Sequence, residues 1–298
     1  MQFREVTCSK AMTKLNSKYQ PYSWDLNIYR GCSHRCQYCF AIYSHQYLDY
    51  DAEDFFETIH VKTNVVDSLE QQLRAKSWKQ EVINLGGVTD SYQAAERKYQ
   101  LMPDIIRLLI KYKTPAIIST KSELILRDFD LWHELSQVTA VNIASTIISY
   151  DAELLQKIEP GTPSPQARMA MLHEFRKTNA ATGVHIMPII PYINDGVEQT
   201  AELLAAAKAA EVDYVLPGTL YLRGSTKPHF LKFIHQTFPE HHQALVQLYN
   251  NREQRQLYKR NMYQTLLKQI DDYRLSRNYM APLLARMPKQ AQQLQLIL

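Results

Sequence analysis

The chain has 298 residues, of which 45% are hydrophobic and 21% are charged, and its formal net charge is +4. These values fit a globular chain with one large domain or a domain plus an appendage, and four cysteines are too few for a disulfide framework in a chain of this size. The sequence begins without a basic segment followed by an apolar run, and it has no membrane-length apolar stretch, so we expect a cytoplasmic protein without a membrane partner. The small positive charge is only a weak indication of an anionic partner such as nucleic acid.

Strand and helix signals alternate through the first three quarters of the chain. The segment WDLNIY, residues 24–29, is predicted as a short strand before a cysteine-rich loop, and an extended piece over 55–64 precedes a helix over 65–78. Buried strands are then predicted at five places, over residues 81–88, 115–122, 140–148, 184–191 and 213–222. Amphipathic helices are predicted between them, over residues 103–112, 129–136, 151–158, 166–178 and 197–210.

This alternation indicates parallel strands that are joined by right-handed helical crossovers. Because there are about six strand-and-helix units rather than eight, we predict an α/β fold with a partial, open (β/α)6 TIM-like barrel. The alternation ends near Thr226, and the remainder is predicted to be helical and is rich in Gln, Tyr, Lys and Arg. We therefore predict a core with an N-terminal extension over residues 1–226 and a helical C-terminal extension over residues 227–298.

Three of the four cysteines lie within eight residues of the loop after the first predicted strand. The segment RGCSHRCQYCFA, residues 30–41, spaces them as Cys32-x3-Cys36-x2-Cys39. A structural zinc site needs four ligands, and His34 stands in a tight loop where reaching the same ion is awkward. The polar neighbours are unlike the surroundings of buried, unligated cysteines. The third interpretation is a [4Fe-4S] cluster held by three thiolates, which leaves one iron without a protein ligand.

The pattern C-x3-C-x-aromatic-C, with Tyr38 at the aromatic position, resembles the motif of radical SAM enzymes when it follows the first strand of a partial barrel. The resemblance implies that S-adenosyl-L-methionine chelates the open iron through its amino and carboxylate groups. It implies further that an electron breaks the sulfonium bond and that the resulting 5'-deoxyadenosyl radical abstracts a substrate hydrogen. A reduced flavodoxin or ferredoxin is the implied electron donor.

The same resemblance implies which residues hold this cosubstrate at the ends of the strands. Besides Tyr38, they are Gly86 and Gly87 near its amino group, and Asp90 as a hydrogen-bond acceptor for that ammonium or for the substrate. Polar residues near its ribose and carboxylate and apolar residues near its adenine complete the set: Ser119, Thr120, Lys121, Ser145, Ile189 and Ile190. Each position also has a structural alternative, such as a strand-ending turn, a helix cap, a solvated lysine or plain core packing.

A longer set of segments is similar to one group of this superfamily, the spore photoproduct lyase-like or DNA repair photolyase-like proteins. The similarity covers residues 27–195 and includes GGVTDSYQ, TKSELILRDFDL, EPGTPSPQARM and PIIPYIND. True spore photoproduct lyases split a methylene-bridged thymine dimer in DNA, and the resemblance would require a cysteine beside Asp90 and a tyrosine pair flanking Cys39. This chain has Thr89 and Phe40 instead, and Phe40 has no phenol to relay a hydrogen.

Three functions remain open at this point. The first is a radical SAM lyase that cleaves a bond in a small nucleobase-like or nucleoside-like substrate, a class that includes queuine fragmentation, with Asp90 and Tyr92 as candidate catalytic residues. The second is a DNA or RNA repair or modification enzyme, favoured by basic and tyrosine residues that are interleaved after residue 252. The third is a non-catalytic iron-sulfur or zinc binding protein.

Further candidates on the substrate side follow the predicted strands: Glu159, Arg168, Asp195, Tyr221 and Arg223. A carboxylate, phenol or guanidinium at such a place can hydrogen-bond a polar substrate. For Glu159 and Arg168, a structural role or a role in binding the cosubstrate is favoured over contact with the substrate.

Overall fold

The structure is a computed structural model that describes residues 1–16, 22–46 and 51–287. This part of the chain contains ten strands: β1 (Gln2–Val6), β2 (Met12–Lys14), β3 (Trp24–Leu26), β4 (Tyr29–Arg30), β5 (Thr58–Lys62), β6 (Ile83–Leu85), β7 (Ala116–Ser119), β8 (Val141–Thr146), β9 (Ala181–Ile189) and β10 (Tyr214–Thr219). Thirteen α-helices are present in the same residues: α1 (Tyr43–Gln46), α2 (Asp54–Glu57), α3 (Val65–Leu73), α4 (Ala94–Tyr99), α5 (Leu101–Lys111), α6 (Phe129–Val138), α7 (Ala152–Ile158), α8 (Pro165–Phe175), α9 (Val197–Ala209), α10 (Thr226–Thr237), α11 (Pro239–Asn250), α12 (Arg252–Asp272) and α13 (Met280–Ala285). Two 3-10 helices span Phe40–Ile42 and Glu123–Asp128.

A sheet of seven strands in the order β10-β9-β8-β7-β6-β3-β2 forms the centre of the fold. The six strands from β3 to β10 in this order all pair in parallel, and only β2 at the edge runs antiparallel to β3. Six parallel strands with helical crossovers confirm the predicted partial (β/α)6 barrel. Since the carboxyl ends of parallel strands lie at one edge, the loops that follow them meet at one mouth of the barrel.

The helices cover the outer face of this sheet because each carries an apolar stripe. In α5 the buried residues Met102, Ile105, Ile106 and Leu109 recur with the spacing of one helical face. They share one hydrophobic core with outward strand residues such as Ile118. Each such burial contributes about 1.5–3 kcal/mol, so the helices are fixed to the sheet by packing.

The strand predicted over residues 24–29 is divided between two sheets. β3 lies in the main sheet, whereas β4 pairs with β5 in a second sheet of the order β1-β5-β4. The division occurs because the backbone N–H of Lys62 donates to Ile28 O at 3.2 Å and its ammonium donates to Asn27 O at 2.6 Å. The prediction of one continuous strand was therefore wrong at Asn27 and Ile28, which lie between β3 and β4.

The residues after Thr226 form helices α10 to α13, which confirms the predicted helical extension. Helix α12 packs on α9, where Thr200 Oγ1 donates to Gln269 Oε1 at 2.7 Å, and Ile270 of α12 belongs to the main core. Helix α13 closes the other barrel opening, because Leu283 packs with Val82 and Ala140 just before strands β6 and β8. The division at residue 226 stays a prediction.

None of the helices in the described ranges is both long and apolar enough to cross a bilayer.

Candidate active site

The cysteine loop starts at Gly31, where the backbone turns away from β4. Gly31 has a φ of 88°, and a Cβ there would lie 2.7 Å from Thr58 O, so the position requires glycine. The next N–H, that of Cys32, donates to Phe55 O at 3.0 Å. The loop is thus anchored to α2 and β5 as it leaves the sheet.

All three loop cysteines are free thiols, with Cys36 buried and Cys32 and Cys39 half-buried. Burial raises the pKa of the Cys32 thiol to about 12, and burial also raises the pKa values of Cys36 and Cys39. The thiols therefore keep their protons until a metal displaces them.

His34 connects the cysteine loop to two other segments. Its Nε2 lies 2.9 Å from Asp90 Oδ2 and its Nδ1 lies 3.0 Å from Gly161 O. Both partners are hydrogen-bond acceptors, and a ring N–H can donate to either of them. The side chain is 5% exposed, and both of its nitrogens are already engaged.

Asp90 holds the carboxyl ends of two strands to the cysteine loop. Its carboxylate accepts from the N–H of Tyr92 at 2.8 Å, from Thr120 Oγ1 at 2.7 Å and from the N–H of Lys121 at 2.8 Å, in addition to His34. Burial alone would raise the pKa of Asp90, but the charge of His34 and these hydrogen bonds lower it to about 2. All four acceptor sites of this ionised carboxylate face protein donors, so Asp90 joins β6, β7 and the loop.

Tyr92 does not reach the barrel mouth with its phenol. The hydroxyl donates to Asp128 Oδ2 at 3.0 Å and accepts from Trp132 Nε1 at 2.8 Å, and the residue is 1% exposed. Its place in this buried network toward α6 gives no support to its predicted catalytic role.

The two glycines after β6 are needed for different reasons. Gly86 has a φ of 81°, whereas a Cβ on Gly87 would lie 2.5 Å from both carboxylate oxygens of Asp25. Asp25 is held there by Asn84 Nδ2 at 2.8 Å and by Asn27 Nδ2 at 2.6 Å. The buried carboxylate beneath Gly87 is a feature that sequence reasoning missed.

The remaining predicted residues divide into those near the loop and those away from it. The Lys121 ammonium lies 5.8 Å from the centre of the Tyr38 ring, and Ile190 packs with Tyr38 and Cys36. Ile189 belongs to the main core instead. Ser145 is fully buried and donates to Thr120 O at 2.6 Å, on the outer face of β8, so the geometry does not bring it into the lumen.

A chain of polar side chains lines the lumen from the mouth inward, which sequence reasoning also missed. Ser119 Oγ lies 3.3 Å from His185 Nδ1, His185 Nε2 lies 3.2 Å from the Tyr214 hydroxyl, and that hydroxyl donates to Asn142 Oδ1 at 3.1 Å. Because the Tyr214 proton goes to Asn142, His185 donates through Nε2 and accepts at Nδ1. Burial and then the charge of Lys121 lower the pKa of His185 to about 4, so its ring is neutral at pH 7.

The signal for this lumen lies in strand alternation. Outward residues Ile143, Val184 and Val215 belong to the main core, so their strand neighbours Asn142, His185 and Tyr214 face inward. The interior of an ordinary barrel is filled with branched apolar side chains, so polar residues at these positions indicate a ligand-binding cavity. His185 and Ser119 keep part of their surface accessible although they lie inside the barrel.

Comparison with known families decides the class of the protein. Residues 26–204, more than half of the chain, match the family model described as the radical SAM superfamily. The chain belongs to this superfamily. Membership supports an enzymatic activity, and radical SAM enzymes use a [4Fe-4S] cluster and S-adenosyl-L-methionine.

Relatives of this radical SAM protein occur in bacteria and archaea. An uncharacterised protein of Mycobacterium tuberculosis is 39% identical over 287 residues, which cover 95% of this chain and 80% of that protein. An uncharacterised protein of Methanocaldococcus jannaschii is 26% identical over 243 residues, covering 81% of this chain and 86% of that protein.

Among solved structures, the radical SAM chain is similar to spore photoproduct lyase. The lyase complexed with dinucleoside spore photoproduct gives a TM-score of 0.58 at 15% identity and covers 80% of this chain and 66% of that chain. A mutant lyase with bound AdoMet and dinucleoside spore photoproduct gives 0.58 at 14% identity, with coverages of 78% and 66%. This chain spans just under two thirds of the lyase, and at such identities the likeness shows a shared fold alone.

The cysteine loop fits the cluster of a radical SAM enzyme better than it fits zinc. Each of the three thiols would bind a different iron of the cluster, whereas a structural zinc site needs a fourth ligand on the same ion. The engagement of both His34 nitrogens removes the only fourth ligand that the loop offers to zinc.

Proposed function

We propose that this radical SAM protein is a lyase that cleaves a bond in a small nucleobase-like or nucleoside-like substrate. Cys32, Cys36 and Cys39 would hold the [4Fe-4S] cluster. When bound, the cluster and S-adenosyl-L-methionine supply the 5'-deoxyadenosyl radical that starts such reactions. The side chains of the mouth and lumen would bind and orient the cosubstrate and the substrate and would exclude water from them.

Lys121 would bind the carboxylate of the cosubstrate. Its ammonium forms no hydrogen bond or ion pair with the residues that the structure describes, and it lies at the barrel mouth beside Tyr38. Burial lowers the pKa of Lys121, but the opposing influence of Cys36 and Glu159 outweighs burial and leaves the pKa raised. An unpaired, charged lysine in a half-buried place favours an anionic partner.

Tyr38 and Ile190 would pack against the adenosyl part, and Gly86 and Gly87 would present their backbone to the amino group. Ser119 offers a hydroxyl toward the ribose from the end of β7. Asp90 would hold the backbone of Lys121 in place, since its carboxylate is occupied by protein donors. Ser145 and Ile189 would support these residues from behind.

The polar lumen is the observation that carries the proposed substrate class. His185 is neutral and lies between the hydroxyls of Ser119 and Tyr214, so this part of the lining is polar and carries no net charge. Ser119 and His185 are the members with accessible surface, and a bound ligand would exchange hydrogen bonds with them. Such a lining suits the hydrogen-bonding edge of an uncharged heterocycle. Phe40 at the position after Cys39 argues against the DNA-lesion reaction, because it carries no phenolic hydrogen.

The experiment is anaerobic turnover of reconstituted protein with dithionite and S-adenosyl-L-methionine, with 5'-deoxyadenosine as the measured product. Nucleobases, nucleosides and short oligonucleotides are added singly. The proposal expects a free base or nucleoside to stimulate the product, and it expects His185→Gln to raise the KM for that compound. Equal turnover with every compound, or stimulation by oligonucleotides alone, would contradict it.

The mouth also carries features that favour a second candidate, action on a nucleic acid. Phe40, directly after Cys39, is 52% exposed, and Tyr221 after β10 is 64% exposed. Shortly after Tyr221 in the chain, Thr226 Oγ1 donates to Cys39 O at 3.3 Å. The basic first half of α12 flanks the same mouth, since the Tyr258 hydroxyl donates to Asp195 after β9. Exposed aromatics next to cations can stack bases and follow a phosphate backbone.

A salt titration separates the two candidates. Binding of a fluorescent single-stranded oligonucleotide should weaken steeply between 50 and 200 mM salt if α12 neutralises phosphates, by a slope of about −0.7 per phosphate contacted. Arg252→Ala with Lys259→Ala should flatten that slope, whereas Arg107→Ala on α5 is a control for a surface arginine on another helix. A small-molecule site predicts no oligonucleotide binding that depends on these residues.

A further inference from the structure

The segment after α7 clamps the cysteine loop from the side of β8. The N–H of Gln37 donates to Ile158 O at 3.0 Å, and the N–H of Gly161 donates to His34 O at 3.1 Å. The Tyr38 hydroxyl donates to Glu159. Residues 158–161 thus contact the loop through these two backbone bonds, the Tyr38–Glu159 bond and the contact of His34 Nδ1 with Gly161 O, all of them between the first and last cysteines.

Glu159 is one half of a fully buried ion pair. Arg168 Nη1 lies 2.5 Å from Glu159 Oε2, and both side chains have 0% exposure. The same guanidinium donates to Thr146 O at 3.0 Å, to Pro163 O at 2.9 Å and to the Thr162 hydroxyl. Arg168 therefore has no freedom to swing out to solvent, and the pair is a fixed dipole beside the loop.

The pair lies close enough to the cysteines to act on them electrostatically. Tyr38 stands between Cys36 and Cys39 in sequence and bonds directly to Glu159. Cys36 and Tyr38 also pack in one buried cluster with Ile158, the residue directly before Glu159. Two fixed charges of opposite sign in a water-free place influence a nearby group far more than surface charges do.

We propose that Glu159 and Arg168 are positioning residues that set the reduction potential of the cluster, in addition to pinning Tyr38. The inference rests on the proposed cluster at Cys32, Cys36 and Cys39. Charge near an iron-sulfur cluster is one of the factors that determine its potential. A negative charge disfavours the added electron and a positive charge favours it, so the two partners act in opposite directions.

The test is an EPR-monitored redox titration of the reconstituted, full-length protein. Glu159→Gln keeps an acceptor for the Tyr38 hydroxyl but removes the negative charge, so the potential should become more positive. Arg168→Gln should make it more negative, and the double variant should lie between the two. Tyr38→Phe removes the hydrogen bond but keeps both charges, so its potential should remain near that of the wild type.

A matched control exists in the same molecule. Glu96 is also a buried carboxylate that accepts from a tyrosine, Tyr29 at 2.6 Å, and from an arginine, Arg127 at 2.7 Å, but its tyrosine precedes the cysteine loop. Glu96→Gln should shift the potential less than Glu159→Gln does. Equal shifts in these two variants, or shifts of the same sign in Glu159→Gln and Arg168→Gln, would overturn the inference.

The failure of this inference is separable from failure of the proposed function. If wild-type protein gives no cluster signal, the proposed function fails first. If wild type gives a normal signal and Glu159→Gln leaves its potential unchanged, only the role of the pair is refuted. Should Arg168→Gln fail to retain a cluster, the comparison of Glu159→Gln with Glu96→Gln still decides the question.

Discussion

Gly161 fixes the path of the cysteine loop by having no side chain. A Cβ at this position would lie 2.4 Å from Ser33 O and 3.0 Å from two backbone atoms of His34. Neither group can move without displacing the loop, because His34 is held by Asp90 and by Gly161 itself. Gly161, in the segment EPGTPSP, is therefore needed because it packs closely against the cysteine loop, and not because a turn requires its backbone conformation.

We predict that Gly161→Ala lowers the iron content after reconstitution and destabilises the protein by about 1–3 kcal/mol, the usual range for overpacking. Iron analysis and urea unfolding measure the two effects. The control is Gly196→Ala, where the Cβ meets only the end of the flexible Gln199 side chain, at 2.9 Å. Equal iron content in both variants would show that the loop tolerates the added methyl group.

His185 gives the lumen a testable pH dependence. Its pKa of about 4 in the folded protein lies below the ordinary value of 6.5, so the unfolded chain takes up a proton first as the pH falls. Folding stability should therefore decline from pH 6.5 toward pH 4, by roughly 2 kcal/mol at pH 5 from this residue alone. We expect His185→Gln to lose that part of the decline between pH 7.5 and pH 5.

Urea unfolding at the two pH values measures this difference. His133→Gln on the exposed face of α6 is the control, and it should retain the wild-type decline. An unchanged decline in His185→Gln would mean that the ring titrates normally in the lumen.

At the scale of elements, helix α13 closes the barrel at the end opposite the cysteine loop. Leu283 is fully buried against Val82, Ile117 and Ala140. We predict that Leu283→Ala destabilises the protein by about 2–5 kcal/mol, because a cavity would replace the side chain at the lumen floor. Urea unfolding measures the change.

Leu257 on α12 provides the comparison for that substitution. It is 55% exposed, so Leu257→Ala should change stability by less than about 0.5 kcal/mol. If Leu283→Ala were equally mild, α13 would not be a structural floor of the barrel.

The elements also show what sequence can and cannot predict. Six strands and their helices were predictable, since apolar periodicity and breakers are local properties of the chain. The separation of β3 from β4 was not, because it depends on Lys62, more than thirty residues away. The links from His34 to Gly161 and from Tyr38 to Glu159 join residues 127 and 121 positions apart, and no local pattern encodes such pairs.

At the scale of the whole molecule, the candidate site residues lie at one end of the barrel, and the structural helix α13 lies at the other. The cysteine loop, Lys121 and the polar lumen open to one mouth, and α13 covers the other. The spacing of the cysteines predicted the class, because three thiolates with one open iron suit only a few cofactors. The substrate side was less predictable. The polar residues Asp25, Asn142, His185 and Tyr214 can be recognised as candidate site residues only once the inner face of the barrel is known.

The central claim is that Cys32, Cys36 and Cys39 hold a [4Fe-4S] cluster with one iron open to S-adenosyl-L-methionine. The direct measurement is iron analysis and EPR spectroscopy of anaerobically reconstituted, reduced protein, beside a variant with all three cysteines changed to alanine. We expect about four irons per chain in the wild type, an EPR signal that changes when S-adenosyl-L-methionine is added, and neither in the variant. Iron retained by the variant, or a wild-type EPR signal that does not change when S-adenosyl-L-methionine is added, would contradict the proposed cluster site.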